Sequence, residues 1–286
     1  MKNRFLKIAA LISAMLIGIF AFVGCGNTAP TKGYDIELAK AFAEEAGIEL
    51  ELVKIEWSFK ETEISSGNID LIWNGMTIHE EMYDNLEISN PYLTNNQAMV
   101  IKSDSNITKE QIKSQKLKIA VENGSAGAAA AEENFPESEV VKVADQISAL
   151  TELKAGNVQV AIIDSIMAGY YAANDESSFK GQIKMITKAD SSLDALTTEE
   201  YGIAAKKGNV GLIAMVNDTL AKLYQNGTMM EIAEKYGFEK IIVKESFENY
   251  VTQYDKLSDA EKASWEAIKE KGKIRIGYTL FAPIAY

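Results

Sequence analysis

The chain has 286 residues, 47% of them apolar and 24% charged, with a formal net charge of −12. That balance describes a folded globular protein rather than a disordered one, and it offers no basic footprint for nucleic acid. Cys25 is the only cysteine, which excludes an internal disulfide framework and a cysteine-rich metal site.

Lys2, Arg4 and Lys7 open the chain, residues 8–23 are almost unbroken apolar sequence, and Gly24-Cys25 follows. The run is shorter than the roughly 20 residues needed to span a bilayer, so it reads as an export signal. Because it ends at cysteine it reads further as a lipobox, although Phe22 stands where an aliphatic residue is more usual. Residues 1–24 are then a lipoprotein signal peptide, Cys25 the lipidated new N-terminus, and residues 25–32 a short tether. This places the protein outside the cytoplasm, anchored to the outer face of the bacterial cell membrane. The other reading is an uncleaved signal anchor with an inert cysteine. Loss of Lys2, Arg4 and Lys7 with the signal carries the formal charge from −12 to −15 and leaves Arg275 as the only guanidinium.

Next along the chain, Asp35 is placed to cap a helix whose Ile36, Ala39, Phe42, Ala43 and Ala46 share a face, with Gly47 as its stop. Residues 49–55 alternate as a strand, and residues 69–73 suit a short buried one. Residues 117–121, 158–163 and 201–205 repeat that texture, with helical stretches between; residues 145–155 and 210–225 are the clearest helices. Such alternation predicts parallel sheets with helices on their faces. The segment Ser65-Ser66-Gly67-Asn68-Ile69-Asp70-Leu71-Ile72 is echoed by Lys154-Ala155-Gly156-Asn157-Val158-Gln159-Val160-Ala161. Each copy is a helix end, a glycine stop and a buried strand, followed by Asn74 or Asp164. Ligands of open α/β sheets bind beyond the carboxyl ends of strands, so two copies suggest two lobes facing across a cleft. Chance recurrence of a common helix-to-strand turn is the alternative.

Four motifs carry a resemblance: Gly33-Tyr34-Asp35-Ile36-Glu37-Leu38-Ala39-Lys40, the run from Gly67 to Ile78, Ile88-Ser89-Asn90-Pro91-Tyr92, and Glu200-Tyr201-Gly202-Ile203-Ala204. In that order they resemble the polar amino-acid solute-binding proteins, family 3 of the extracellular solute-binding proteins of ABC transporters. The resemblance implies a two-lobed, type II periplasmic-binding-protein-like α/β fold, each lobe a mainly parallel sheet flanked by helices. Lobe 1 would comprise residues 33–101 and 204–286 and lobe 2 residues 102–203, closing about crossing strands near Val100 and Gly202.

The family's opening segment, a basic strand leading into an aromatic-x-Pro loop, is missing before Gly33. It stands instead at residues 273–286, after a helix-like stretch at residues 258–271. The chain therefore reads as a circular permutant whose C-terminus supplies the first strand. The rival reading is the front part of a tandem pair.

The site residues are those the resemblance implies. Asp164 matches the family's ammonium acceptor, and it could equally be the N-cap of a helix over residues 165–173. Asn74, Gly75 and Thr77 match positions that offer backbone groups and a hydroxyl. Ser125, Ala126 and Gly127 open an alanine-rich helix whose N–H groups suit a carboxylate; a plain serine cap is the alternative. Trp57 and Phe281 fall where aromatic rings flank the ligand side chain, though either could be core. The loop at residues 278–280 is one residue shorter than common versions and lacks their frequent acid, so no charge stands there for a cationic side chain. Met82 occupies the position of the family's carboxylate-gripping arginine. Either the helix start at Ser125 holds the carboxylate alone, or the ligand has no free α-carboxylate and Met82 lines an apolar contact. His79, the only histidine, reads as a solvated loop residue and a poor metal ligand by itself.

The implied function is capture of an amino-acid-like molecule for the permease of an ABC transporter, with no cofactor and no reaction. A sensory ligand-binding module is the first alternative and a dehydratase-like enzyme the second; against the enzyme, the sequence holds no Ser-His-Asp order, metal cluster or phosphate loop.

Overall fold

The computed structural model describes residues 30–286; the expected signal, the lipobox and Cys25 lie outside the described residues. Among the described residues no helix is long and apolar enough to cross a membrane. Helix α1 (Tyr34–Ala46) ends at Gly47, whose left-handed φ of 67° lets its N–H reach the carbonyls of Ala43 and Glu44. Asp35 does not cap it. Gly33 holds the N-cap position, and Asp35 sits in the first turn, buried, with its carboxylate committed elsewhere.

Lobe 1 continues through β1 (Glu49–Lys54), α2 (Lys60–Ser65), β2 (Leu71–Thr77) and β3 (Leu86–Ile88). Strand β4 (Leu93–Lys102) then leads into lobe 2, which contains α3 (Lys109–Gln115), β5 (Ile119–Glu122), α4 (Ala126–Asn134), β6 (Val140–Val143), α5 (Gln146–Ala155), β7 (Val160–Asp164), α6 (Ser165–Ala173) and β8 (Ile183–Met185). Strand β9 (Thr197–Lys206) returns to lobe 1, where α7 (Val210–Gln225), α8 (Thr228–Tyr236), α9 (Asp259–Lys271) and β10 (Lys273–Tyr278) complete it.

The hydrogen-bonded order is β1-β10-β2-β9-β4-β7-β5-β6. β4 and β9 pair antiparallel from Leu93 opposite Tyr201 to Gln97 opposite Thr197, and each then runs on into its own lobe. On either side of this pair stand three parallel strands, β1-β10-β2 in lobe 1 and β6-β5-β7 in lobe 2. The echoed segments occupy equivalent places, since β2 and β7 each follow a left-handed glycine, Gly67 or Gly156, and each abuts a crossing strand. Every residue of β2 and β7 is buried, as expected of strands covered by helices on both faces.

The two lobes differ in chain order. In lobe 2 the middle strand β5 comes first; in lobe 1 the middle strand β10 comes last. Ile274 and Ile276 of β10 are buried, and burial of each contributes about 1.5–3 kcal/mol. Arg275 forks onto the Asp70 carboxylate, Nε at 3.0 Å and Nη2 at 2.8 Å, which fixes β10 beside β2. Helix α9 opens with a capping box between Ser258 and Glu261 and buries Trp265 and Ile268. Beyond β10 the last residue pairs with the first described ones: Lys32 N–H donates to the Tyr286 carbonyl at 3.0 Å, and Tyr286 N–H to the Lys32 carbonyl at 2.9 Å.

Candidate functional site

A cleft of about 530 Å³ separates the lobes at the carboxyl ends of their parallel strands, a size that suits a small ligand. Trp57, Asn74, Gly75, Thr77, Met82 and Phe281 line it from lobe 1, and Ser125, Ala126 and Asp164 from lobe 2. Gly127 does not reach the surface of the cleft. It is buried behind the wall, where a Cβ would come within 2.9 Å of Gln97 Oε1 and of the Ile162 carbonyl oxygen.

The lobe 1 wall is built on an irregularity in β2, whose pairing with β9 shifts between Ile72 and Met76. Gly75 stands in the left-handed region at φ 59°, and a Cβ there would lie 2.7 Å from the Phe281 ring, so glycine is required both for the backbone and for the close approach. Its N–H is already spent on Asp35 Oδ2 at 2.8 Å, which also accepts the Tyr92 hydroxyl at 2.7 Å. The buried Asp35 thus sets the shape of the loop from behind, and burial pushes its carboxyl up to about 7. Asn74 Oδ1 accepts the Thr279 N–H at 3.0 Å, tying the loop after β10 to β2. Asn74 Nδ2 is buried with no partner among the described residues.

Trp57 and Met82 share one apolar cluster with Ile55, Ile64, Ile69 and Met76. Each is therefore core and cleft wall together. His79 lies partly exposed at the rim. Arg275, engaged with Asp70, sends no guanidinium into the cleft.

In lobe 2, Asp164 precedes α6 but its side chain makes no capping hydrogen bond. Its Oδ1 accepts from the Tyr201 hydroxyl at 2.6 Å, from Gln97 Nε2 at 2.9 Å and from Asn95 Nδ2; its Oδ2 accepts from Gln146 Nε2 alone. A carboxylate offers about four lone-pair sites on two oxygens, so Oδ2 is the oxygen with capacity to spare. Asn95 and Gln97 also donate to Glu199 Oε1, at 2.7 and 2.8 Å. Two amides thus bridge two carboxylates. Burial, and then repulsion by Glu199, raises the Asp164 pKa. Glu122, at the end of β5, is likewise buried and is pushed up to about 8 by desolvation and by Asp164. Ser125 does cap α4: its Oγ accepts the Ala128 N–H at 3.1 Å and donates to the Glu122 carbonyl at 2.8 Å.

Sequence reasoning missed Gln97, Gln146, Glu122, Glu199 and Lys60. Glu122 ends an apolar strand just as Asp164 does, and Gln97 closes a run of three amides in an otherwise apolar strand; both signals were present. Among the described residues no group of three or more metal-ligating side chains is found.

Residues 20–240 match the family model for bacterial extracellular solute-binding proteins, family 3. The arginine-binding extracellular protein ArtP of Bacillus subtilis is 31% identical over 212 residues, 71% of this chain and 77% of that protein. The L-cystine-binding protein TcyJ of Escherichia coli is 24% identical over 216 residues, 74% of this chain and 76% of that one. Among solved structures, an ancestral arginine-binding protein bound to glutamine superposes with a TM-score of 0.64 at 30% identity, covering 73% of this chain and 88% of that one. A substrate-binding protein of an ABC uptake transporter from Streptococcus pneumoniae, with bound histidine, gives 0.66 at 28% identity, covering 74% and 85%. With more than half its length matched by the family model, and with two lobes meeting at a cleft on a shared pair of crossing strands, this chain belongs to the bacterial extracellular solute-binding proteins, family 3.

Proposed function

We propose that the protein captures a zwitterionic amino acid in the interlobe cleft and delivers it to the permease of an ABC transporter. The observation that carries this reading is Asp164: it caps no helix, keeps capacity on Oδ2, and lines a cleft that holds a helix start on its own side and aromatic rings on the opposite one. The ligand's ammonium lies on Asp164, its carboxylate at the start of α4, and its side chain between Trp57 and Phe281. The relatives named above, which bind arginine, cystine, glutamine and histidine, support an amino-acid ligand. A thermal-shift screen of residues 26–286 against amino acids, their amides and small peptides tests it, because a ligand that binds only the folded state raises the melting temperature. A selective shift that vanishes in Asp164→Ala supports the reading; a cooperative melt that no compound moves counts against it.

The same reading includes export and a lipid on Cys25, so Cys25→Ser should move the protein from the membrane fraction to the soluble one. It also includes a circular permutation, supported by the last-in-order middle strand β10 and by the pairing of Tyr286 with Lys32. Lobe 1 then comprises residues 33–101 and 204–286, and lobe 2 residues 102–203. One observation favours a second, catalytic reading: Glu122 is a buried acid in the cleft with a pKa near that of a proton-transfer group. A binding protein returns its ligand chemically unchanged, and mass spectrometry of the released ligand separates the two.

A further inference from the structure

An amino acid buried in the cleft brings a carboxylate that needs a cation or several donors. Met82 supplies neither, and Arg275 is taken by Asp70. Of the lysines lining the cleft, Lys142 is paired with Glu132 at 2.7 Å. Lys60 remains.

Lys60 opens α2, three residues after Trp57. Its ammonium lies 4.9 Å from the centroid of the Trp57 ring and 3.1 Å from the carbonyl oxygen of Gly124, and it has no carboxylate partner within ion-pair distance among the described residues. Half-buried, it lines the cleft and has its pKa lowered by desolvation. Gly124 immediately precedes Ser125 and the first turn of α4. In that turn the N–H of Ala126, which lines the cleft, meets no acceptor among the described residues. The lobes touch here: Gly124 has a φ of 71°, and a Cβ on it would lie 3.0 Å from Ser58 Cα. The lobe 1 wall adds a second donor without an acceptor, the buried Asn74 Nδ2.

We infer that Lys60 is the cation that receives the ligand's carboxylate, acting from lobe 1 together with the open N–H of Ala126 at the start of α4 in lobe 2. This rests on the amino-acid-binding reading. Lys60 then trades a neutral carbonyl for an anion, and the carboxylate is held by both lobes at once. Its binding is therefore tied to closure, whereas Asp164 holds the ammonium from lobe 2 alone. Lys60 and the acids Asp164 and Glu122 make the cleft complementary to a zwitterion rather than to a simple cation.

The test is calorimetric titration of the wild type and of Lys60→Met and Lys60→Arg with the proteinogenic L-amino acids, L-cystine and the corresponding α-carboxamides. In the wild type the acid that binds should exceed its amide by about tenfold or more. Lys60→Met should weaken the acid by about tenfold or more and the amide by less than about threefold, and Lys60→Arg should restore most of the loss. Unchanged affinity for the acid in Lys60→Met, or equal wild-type affinity for acid and amide, overturns the role of Lys60 and leaves amino-acid binding intact. Failure of the wild type to bind any acid or amide in the panel overturns both. Lys60 is partly exposed and outside the apolar core, and matching circular dichroism melts of the variants confirm that they fold.

Discussion

The hydroxyl of Tyr201 donates to Asp164 Oδ1 at 2.6 Å. A strand that crosses between the lobes thereby holds an acid that lines the cleft, and with Gln97 and Asn95 it occupies Oδ1 and leaves Oδ2 the less engaged oxygen. Asp164→Asn should keep the packing and remove the charge. Ligand affinity should fall by about 10- to 100-fold, the worth of one charge-assisted hydrogen bond. Tyr201→Phe takes away a single supporting donor and should cost several-fold less. Titration calorimetry on the two variants checks the order.

The buried acids make stability depend on pH. The carboxyl groups of Glu122 and Asp35 titrate near 8 and 7 in the folded protein, well above the ordinary value of about 4. Between those limits the folded state holds protons that the unfolded state has released. The stabilisation from these groups is complete below about pH 4 and is lost as pH rises through 7 to 8. Denaturant midpoints of the ligand-free protein should therefore be higher near pH 5 than near pH 8, and Glu122→Gln should flatten the difference. Because an ammonium favours ionised Asp164, binding near neutral pH should release protons, measurable as a dependence of the binding enthalpy on buffer ionisation.

Gly75→Ala should damage both the fold and the site. The left-handed backbone and the 2.7 Å approach to Phe281 together cost about 1–3 kcal/mol. Relief would push the Phe281 ring away from the ligand side chain, so affinity should fall along with the denaturation midpoint.

Asp70→Ala separates the structural arginine from the site. It strips the fork from a partly buried guanidinium and should destabilise by about 1–3 kcal/mol. The pair lies outside the cleft, so binding by the folded variant should stay within about twofold of wild type. A large loss of affinity at full folding would mean that Arg275 acts on the ligand after all.

Chain order offers a further test. Moving residues 258–286 ahead of Lys32, with a short connection between Tyr286 and Lys32, should give a protein that folds and responds to the same ligands. The observed backbone pairing of Lys32 with Tyr286 requires only a short connection.

Much of this architecture was legible in the residues because it rests on local patterns. Helix α7 follows its apolar face over residues 210–225, and β2 and β7 follow glycine stops that any reader of turns would mark. Asp35 misled for a physical reason. An acid at a helix start satisfies the rule for a cap, whereas its true partners, Gly75 and Tyr92, are 40 and 57 residues away. Glu122, Gln97 and Gln146 escaped for a similar reason: their meaning is the network they form around Asp164, and spacing along one strand does not reveal which carboxylate an amide will meet across the sheet. Lys60 was invisible because a lysine at the start of a short helix is ordinarily solvated, and only the closeness of the lobes at Gly124 turns it inward.

The most direct measurement is a pair of calorimetric titrations, near pH 8, of the wild type and Asp164→Asn with L-amino acids and their N-acetyl derivatives. Saturable one-to-one binding of at least one free amino acid by the wild type is expected, with loss of that binding on N-acetylation and a matching loss in Asp164→Asn. Equal affinity for the acetylated and free forms, or undiminished binding by Asp164→Asn, would contradict it.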